Sequence, residues 1–139
     1  MTVLRYGGLL IVGIMILAGC GSHAAKDQPV EQPILSGAEQ LMAKGIKSYE
    51  EGEYKLAAKY LQNALKAGLP RNTDSAKAHK FLAFIACGSG NTKQCRDEFH
   101  KAFDDDPGFA LDAAEAGHPV WGPVYRRVRD QVKSKEKLH

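Results

Sequence analysis

The chain has 139 residues and a mass of 15.1 kDa, enough for one compact domain. Hydrophobic residues make up 44% and charged residues 25%, a globular balance that excludes a disordered chain. Six prolines and fourteen glycines exclude collagen-like and low-complexity readings, and a formal charge of +3 is too small to argue for nucleic acid.

Arg5 precedes an unbroken apolar run from Gly7 to Leu17. That run is shorter than the roughly 20 residues of a permanent membrane helix and suits the hydrophobic region of a secretory signal peptide. Leu17-Ala18-Gly19-Cys20 follows and resembles the bacterial lipobox; the alternative is an ordinary signal peptide that happens to end at a cysteine. The resemblance implies a signal peptide over 1–19, cleavage before Cys20, a diacylglycerol on its thiol and acylation of the new amine. A covalent lipid on Cys20 is then expected, with no other cofactor. One acyl chain holds a protein only marginally and several hold it firmly. Gly21 stands where lipoproteins retained in the inner membrane carry aspartate, which implies the outer membrane, facing the periplasm. Residues 20–36 are polar, include Pro29 and Pro33, and read as a lipidated tether.

Beyond the tether, the pattern predicts an all-α domain over 37–135, followed by a short tail, 136–139. Ala38, Leu41, Met42, Gly45, Ile46 and Tyr49 predict a first helix stopping near Gly52. Tyr54, Leu56, Ala57, Tyr60, Leu61, Ala64 and Leu65 predict a second, ended by Gly68-Leu69-Pro70. Asp74 is the expected cap of a third helix running through Cys87, and Gly88-Ser89-Gly90-Asn91 the turn into a fourth, from about Thr92 to Asp105. Pro107 forbids its continuation. Phe109 and Leu111 are expected to pin the next segment to the second hairpin. Val120, Val124, Val128 and Val132, with Trp121 and Tyr125 beside them, predict a capping helix over 123–135 that starts at Pro123.

The two hairpins share one spacing. Gly52, Ala57, Leu61 and Ala64 recur as Gly90, Cys95, Phe99 and Ala102, each 38 residues on. With Gly45 and Tyr54, and then Ala83 and Pro107, these residues resemble two tetratricopeptide repeats; a plain helical bundle with coincident spacing is the alternative. Two repeats leave apolar ends uncovered, which the C-terminal helix is expected to close. The resemblance implies a concave surface formed by the first helix of each pair. By position it includes Met42, Ile46 and Tyr49, then Lys77, Lys80 and Phe84, a partner-binding surface suited to a helix or an extended acidic peptide. The competing expectation is that these residues pack against the cap.

Cys87 and Cys95 flank the second hairpin turn. In an exported protein they form either a structural disulfide, the favoured reading, or two buried thiols; a redox role lacks C-x-x-C spacing. His23, His79, His100, His118 and His139 show no metal-ligand spacing, and Asp104-Asp105-Asp106 lacks the glycine and distal glutamate of an EF-hand loop. No phosphate loop, GxSxG elbow or paired carboxylate is recognisable, so the chain is read as a non-enzyme. The tail after Tyr125 has Arg126, Arg127, Arg129, Lys133, Lys135 and Lys137 against Asp130 and Glu136, net +4. It suits phospholipid head groups, cell-wall carboxylates or an acidic protein, or is simply the wet side of a helix.

The lipobox, tether, hairpins, cysteine pair, Asp106-Pro107-Gly108-Phe109 and, most specifically, His118-Pro119-Val120-Trp121-Gly122-Pro123-Val124-Tyr125-Arg126 together resemble the small tetratricopeptide lipoproteins of the TssQ type that accompany type VI secretion systems. The resemblance implies a protein–protein scaffold near the envelope-spanning complex, its partner a secretion or envelope-assembly subunit. A pilotin-like carrier escorting such a subunit to the outer membrane is the alternative; a thiol oxidoreductase or peptidoglycan-active enzyme is a more remote one. Metabolic labelling with palmitate tests the anchor: the wild-type chain is expected to incorporate label, and Cys20→Ser to incorporate none.

Overall fold

A computed structural model describes residues 35–138. The expected signal peptide, Cys20, His23, the tether up to residue 34, and His139 lie outside the described residues. Six helices follow one another: α1 (Gly37–Glu50), α2 (Tyr54–Ala67), α3 (Asn72–Gly88), α4 (Thr92–Asp105), α5 (Ala113–Gly117) and α6 (Gly122–Glu136), with no strand among the described residues. The domain is all-α, as the periodicity predicts.

α1 starts at the expected end of the tether. The Glu39 N–H donates to Ser36 Oγ, and the Ser36 N–H donates to the Glu39 carboxylate at 2.8 Å. This reciprocal capping box satisfies two donors that a helix start otherwise leaves unpaired. α1 and α2 form one hairpin, α3 and α4 another, and their turns are built alike. Gly52 and Gly90 adopt φ values of +80° and +79°, a conformation open to glycine without a Cβ penalty. The Gly52 and Gly90 N–H groups donate to the Tyr49 and Cys87 carbonyls, both at 3.0 Å, and the next N–H groups, of Glu53 and Asn91, donate to the Ser48 and Ala86 carbonyls at 2.8 and 2.9 Å. Each turn is therefore a Schellman closure, repeated at the 38-residue offset.

The offset also governs packing. Ala57 and Cys95, Leu61 and Phe99, and Ala64 and Ala102 are all fully buried. Gly45 lets α1 settle on α2: a Cβ there would stand 2.7 Å from Leu61 Cγ. At the equivalent place in the second hairpin, Ala83 is fully buried. The Cys87 and Cys95 sulfurs lie at disulfide distance across the second turn, with Cα atoms 5.0 Å apart.

Three features of the helices differ from expectation: the start of α3, the presence of α5 and the start of α6. α3 begins at Asn72 after Arg71, so Asp74 lies inside its first turn and is not the cap. Its carboxylate instead accepts from Arg71 Nε and Nη2 at 2.7 and 3.1 Å, and an acid in the first turn complements the helix dipole. After α4, the backbone forms the short helix α5, which apolar periodicity does not announce because none of its residues is buried. Asp112 and Glu115 close a second capping box around it.

α6 starts one residue before the expected position, with Pro123 in its first turn. Val128 is fully buried and Val124 and Val132 half-buried, but Val120 is 47% exposed. Val120 precedes the helix, so its four-residue spacing to Val124 does not carry it onto the same face. Tyr125 supplies the main anchor. Its ring packs against Phe99, Phe103 and Phe109 at centroid distances of 5.5 to 6.2 Å, and its hydroxyl accepts from the buried Leu111 N–H at 3.2 Å. Phe109 and Leu111 thus hold the connecting segment to the second hairpin, as expected.

The α3–α4 seam contains a polar clamp. His79 Nδ1 is 2.6 Å from Glu98 Oε2, and Lys101 Nζ donates to Glu98 Oε1 at 2.9 Å. Burial pushes the Glu98 carboxyl up, but the hydrogen bonds and charges of His79 and Lys101 outweigh it and leave the group below its ordinary value. Asp105 Oδ2, buried without a hydrogen-bond partner, lies 3.6 Å from His79 Nε2.

Two stability measurements follow from this packing. Gly45→Ala should destabilise the fold by about 1–3 kcal/mol through overpacking against Leu61, even though alanine is the better helix former; urea unfolding reads the sign. Because the folded-state value of Glu98 is depressed, its stabilisation is complete above the unfolded carboxylate value of about 4.3 and is lost as pH falls through the folded value. Glu98→Gln should therefore be less stable than wild type at pH 6 and lose less stability between pH 5 and pH 3, as read by urea midpoints.

Candidate functional site

The surface expected to receive a partner divides into an interior and an exterior part. Met42 is core, packed with Leu61, Ala64, Ala78 and Leu82, and Ile46 is half-buried against the same cluster. Phe84 is 4% exposed. Its ring lies 4.2 Å from that of Trp121 in a stacked arrangement and meets Phe99 edge-on at 6.2 Å. Lys77 is exposed. Lys80 is folded inward: Nζ donates to Glu115 Oε1 at 2.6 Å and stands over the Phe81 and Phe84 rings at 5.0 and 5.6 Å. Tyr49 meets Phe81 edge-on at 5.0 Å and Tyr54 at 5.4 Å.

The structure therefore brings Tyr49, Lys80 and Phe84 together and covers two of them with the C-terminal segment. Met42 joins the core of the first hairpin, and Lys77 stands apart in solvent. A partner reaching the expected surface does not meet Met42, which lies in the core of the first hairpin, nor the face of Phe84 that Trp121 covers.

That segment is held at several points. Glu115 uses one carboxylate oxygen for Lys80 and the other for the Asp112 N–H, and its carbonyl accepts from Trp121 Nε1 at 2.9 Å. Trp121 is stacked between Phe84 and the His118 imidazole, the latter with ring centroids 3.4 Å apart. Arg126 Nη1 donates to the Ala116 carbonyl at 2.7 Å. Flat rings stacked in this way contribute beyond the area they bury.

Beside Trp121, an apolar groove of about 570 Å³ remains open. It runs along the turn ends of both hairpins and is lined by Tyr49, Tyr54, Ala58, Phe84, Ile85, Gln94 and Trp121, so that two residues of the expected surface, Tyr49 and Phe84, border it. Tyr54 is 52% exposed. Burial, with the neighbouring Tyr54 and the Glu115 charge, pushes the Tyr49 phenol above its ordinary value, so it is a neutral hydrogen-bonding group at physiological pH. Lys55 stands on the rim. Aromatic rings, one cation and an amide beside an apolar floor can bind the apolar face of a peptide and orient its polar edge.

Sequence reasoning missed Tyr54, Ala58, Ile85 and Trp121 as groove residues. Tyr54 shares the helical row of Ala57, Leu61 and Ala64, so periodicity reads it as core. Its position on the first turn of α2, beside the hairpin end, is the signal that it outruns the neighbouring helix. Trp121 reads as a cap residue, and one face of its ring does cap Phe84.

The sequence matches no protein-family model, and no curated protein or solved structure is significantly similar to it.

Removing the stacked indole tests whether it holds the C-terminal segment. Trp121→Ala is expected to cost about 2–3 kcal/mol, less than a fully buried tryptophan because the ring is only partly buried, and to weaken near-ultraviolet dichroism. An unchanged thermal midpoint would show that the stack contributes nothing.

Proposed function

We propose that this protein is a lipid-anchored binding module of the outer membrane, facing the periplasm. Its two hairpins act as tetratricopeptide-like repeats closed by a capping segment. Its role is that of a protein–protein scaffold accessory to the envelope complex of a type VI secretion system. The observation that supports a binding role is the open aromatic groove at the hairpin ends, with Tyr49, Tyr54 and Trp121 around an apolar floor. Such rings are the side chains that most often dominate binding energy at protein interfaces. The groove fits the apolar face of a helix or turn from a secretion or envelope-assembly subunit, with Lys55 available to a carboxylate on its polar side. The signal peptide, Cys20 and tether supply the anchored address, and the stretch from His118 to Arg126 supplies the secretion-system context. The protein acts by holding a partner, without chemistry of its own and without a cofactor beyond the covalent lipid.

Photo-crosslinking in living cells tests this reading. A photoreactive residue at Tyr54 should capture a secretion envelope subunit, whereas one at the exposed Lys59 should not, and Tyr54→Ala should weaken the isolated complex about tenfold. Equal capture from both positions, or capture of no secretion component from Tyr54, would contradict it. Cys20→Ser separates scaffold from carrier: a scaffold's partner stays in place but unassembled, and a carrier's partner is mislocalised.

A further inference from the structure

Away from the groove, α4 and α6 lie side by side and run in the same direction. Thr92 and Arg96 on the first turns of α4 share a cleft with Pro123, Val124 and Arg127 on the first turns of α6. Further along the same seam, His100 and Asp104 share a second depression with Val132 and Lys135. A parallel pair brings two N-terminal dipole ends together, each equivalent to about half a positive charge.

Neither helix sets a carboxylate against this charge, although the Asn91 side chain caps the start of α4 through the Gln94 N–H. α4 and α6 both lack an acidic residue in the first turn, unlike α1, α3 and α5, which carry Glu39, Asp74 and Glu115 there. The side chains entering the cleft make the imbalance larger, because they are two arginines from two different helices. Their nearest carboxylates in sequence are engaged elsewhere: Asp97 by Lys93 at 2.6 Å and Asp130 by Arg129 at 2.9 Å. Among the described residues, no ion pair involves Arg96 or Arg127, and no carboxylate lines the cleft. The cleft has a volume of about 100 Å³, the scale of one small tetrahedral anion.

We propose that the Arg96–Arg127 cleft binds a phosphate group, carried by a phospholipid headgroup or free in solution. Planar guanidinium forks pair with two phosphate oxygens at once. The Thr92 hydroxyl at the start of α4 adds a neutral donor, and the converging helix starts favour the same charge. Val124 and Pro123 form an apolar wall on one side of the site. The site stands independently of the groove and of the secretion role.

The test uses the full chain carrying Cys20→Ser, so that no acyl group contributes to binding. It is titrated with inorganic phosphate while the backbone amide resonances of Thr92, Lys93 and Val124 are followed. Saturable shifts are expected, with the dissociation constant raised about tenfold in Arg96→Gln and in Arg127→Gln and unchanged in Lys59→Gln. Circular dichroism of each variant verifies that the fold is intact. Vesicles of phosphatidylglycerol that compete with phosphate, where phosphatidylcholine vesicles do not, would assign the group to an anionic headgroup. Phosphate binding without vesicle binding would assign it to free phosphate. Absence of saturable shifts, shifts that survive replacement of both arginines, or shifts that chloride reproduces at equal ionic strength would overturn the proposal.

Discussion

Phe84 lies where the second hairpin meets its cover. One face of its ring is stacked by Trp121 at 4.2 Å, and its edges meet Phe81 and Phe99. Tyr49 of the first hairpin approaches within 6.4 Å of it. A helical hairpin has two broad sides, and two hairpins stacked together still leave one of the outer sides apolar. Phe84 belongs to that uncovered side of α3. The chain resolves the problem with its own C-terminal segment, and the rest of the arrangement follows from that choice. Glu115 is drawn toward Lys80, Trp121 is laid over Phe84, and Tyr125 is inserted among Phe99, Phe103 and Phe109. Covering Phe84 also limits what a partner can reach, leaving the groove next to Trp121 as the open apolar ground.

The helices were legible because local chemistry and global packing agree in them. The spacing of Gly52, Ala57, Leu61 and Ala64 against Gly90, Cys95, Phe99 and Ala102 is the spacing of a turn with one left-handed glycine followed by a buried row. Both requirements are visible as residue types. Asp74 misled because an acid near a helix start fits the cap and the first turn equally, and the choice depended on Arg71 reaching back to it. α5 was hidden because a five-residue helix with no buried residue has no apolar period; only its Asp112/Glu115 capping box marks it.

The proposed binding surface was less legible than the fold. Met42, Ile46, Tyr49, Lys77, Lys80 and Phe84 lie on α1 and α3, but position does not reveal which of them the chain will cover itself. Phe84 and Lys80 are covered because Trp121 and Glu115 reach them across 37 and 35 residues of sequence. No local pattern encodes that contact. Tyr54 illustrates the converse: a residue in phase with the core that lies at the end of its hairpin and is left half in solvent. The groove thus depends on where elements end, a feature for which sequence periodicity has little resolution.

On this account α5 and α6 are an integral part of the domain rather than a strap that opens for a partner. Hydrogen exchange in the native state tests that most directly, by comparing amides of α6, at Val128 and Val132, with amides of α3, at Leu82 and Phe84. If the cap is integral, both sets exchange through global unfolding, with the same free energy and the same dependence on denaturant. If the α6 amides exchange at a much lower free energy while α3 stays protected, the segment detaches on its own. The face of Phe84 now stacked by Trp121 would then be open, and the groove, which Trp121 helps to line, would not be a fixed feature of the domain.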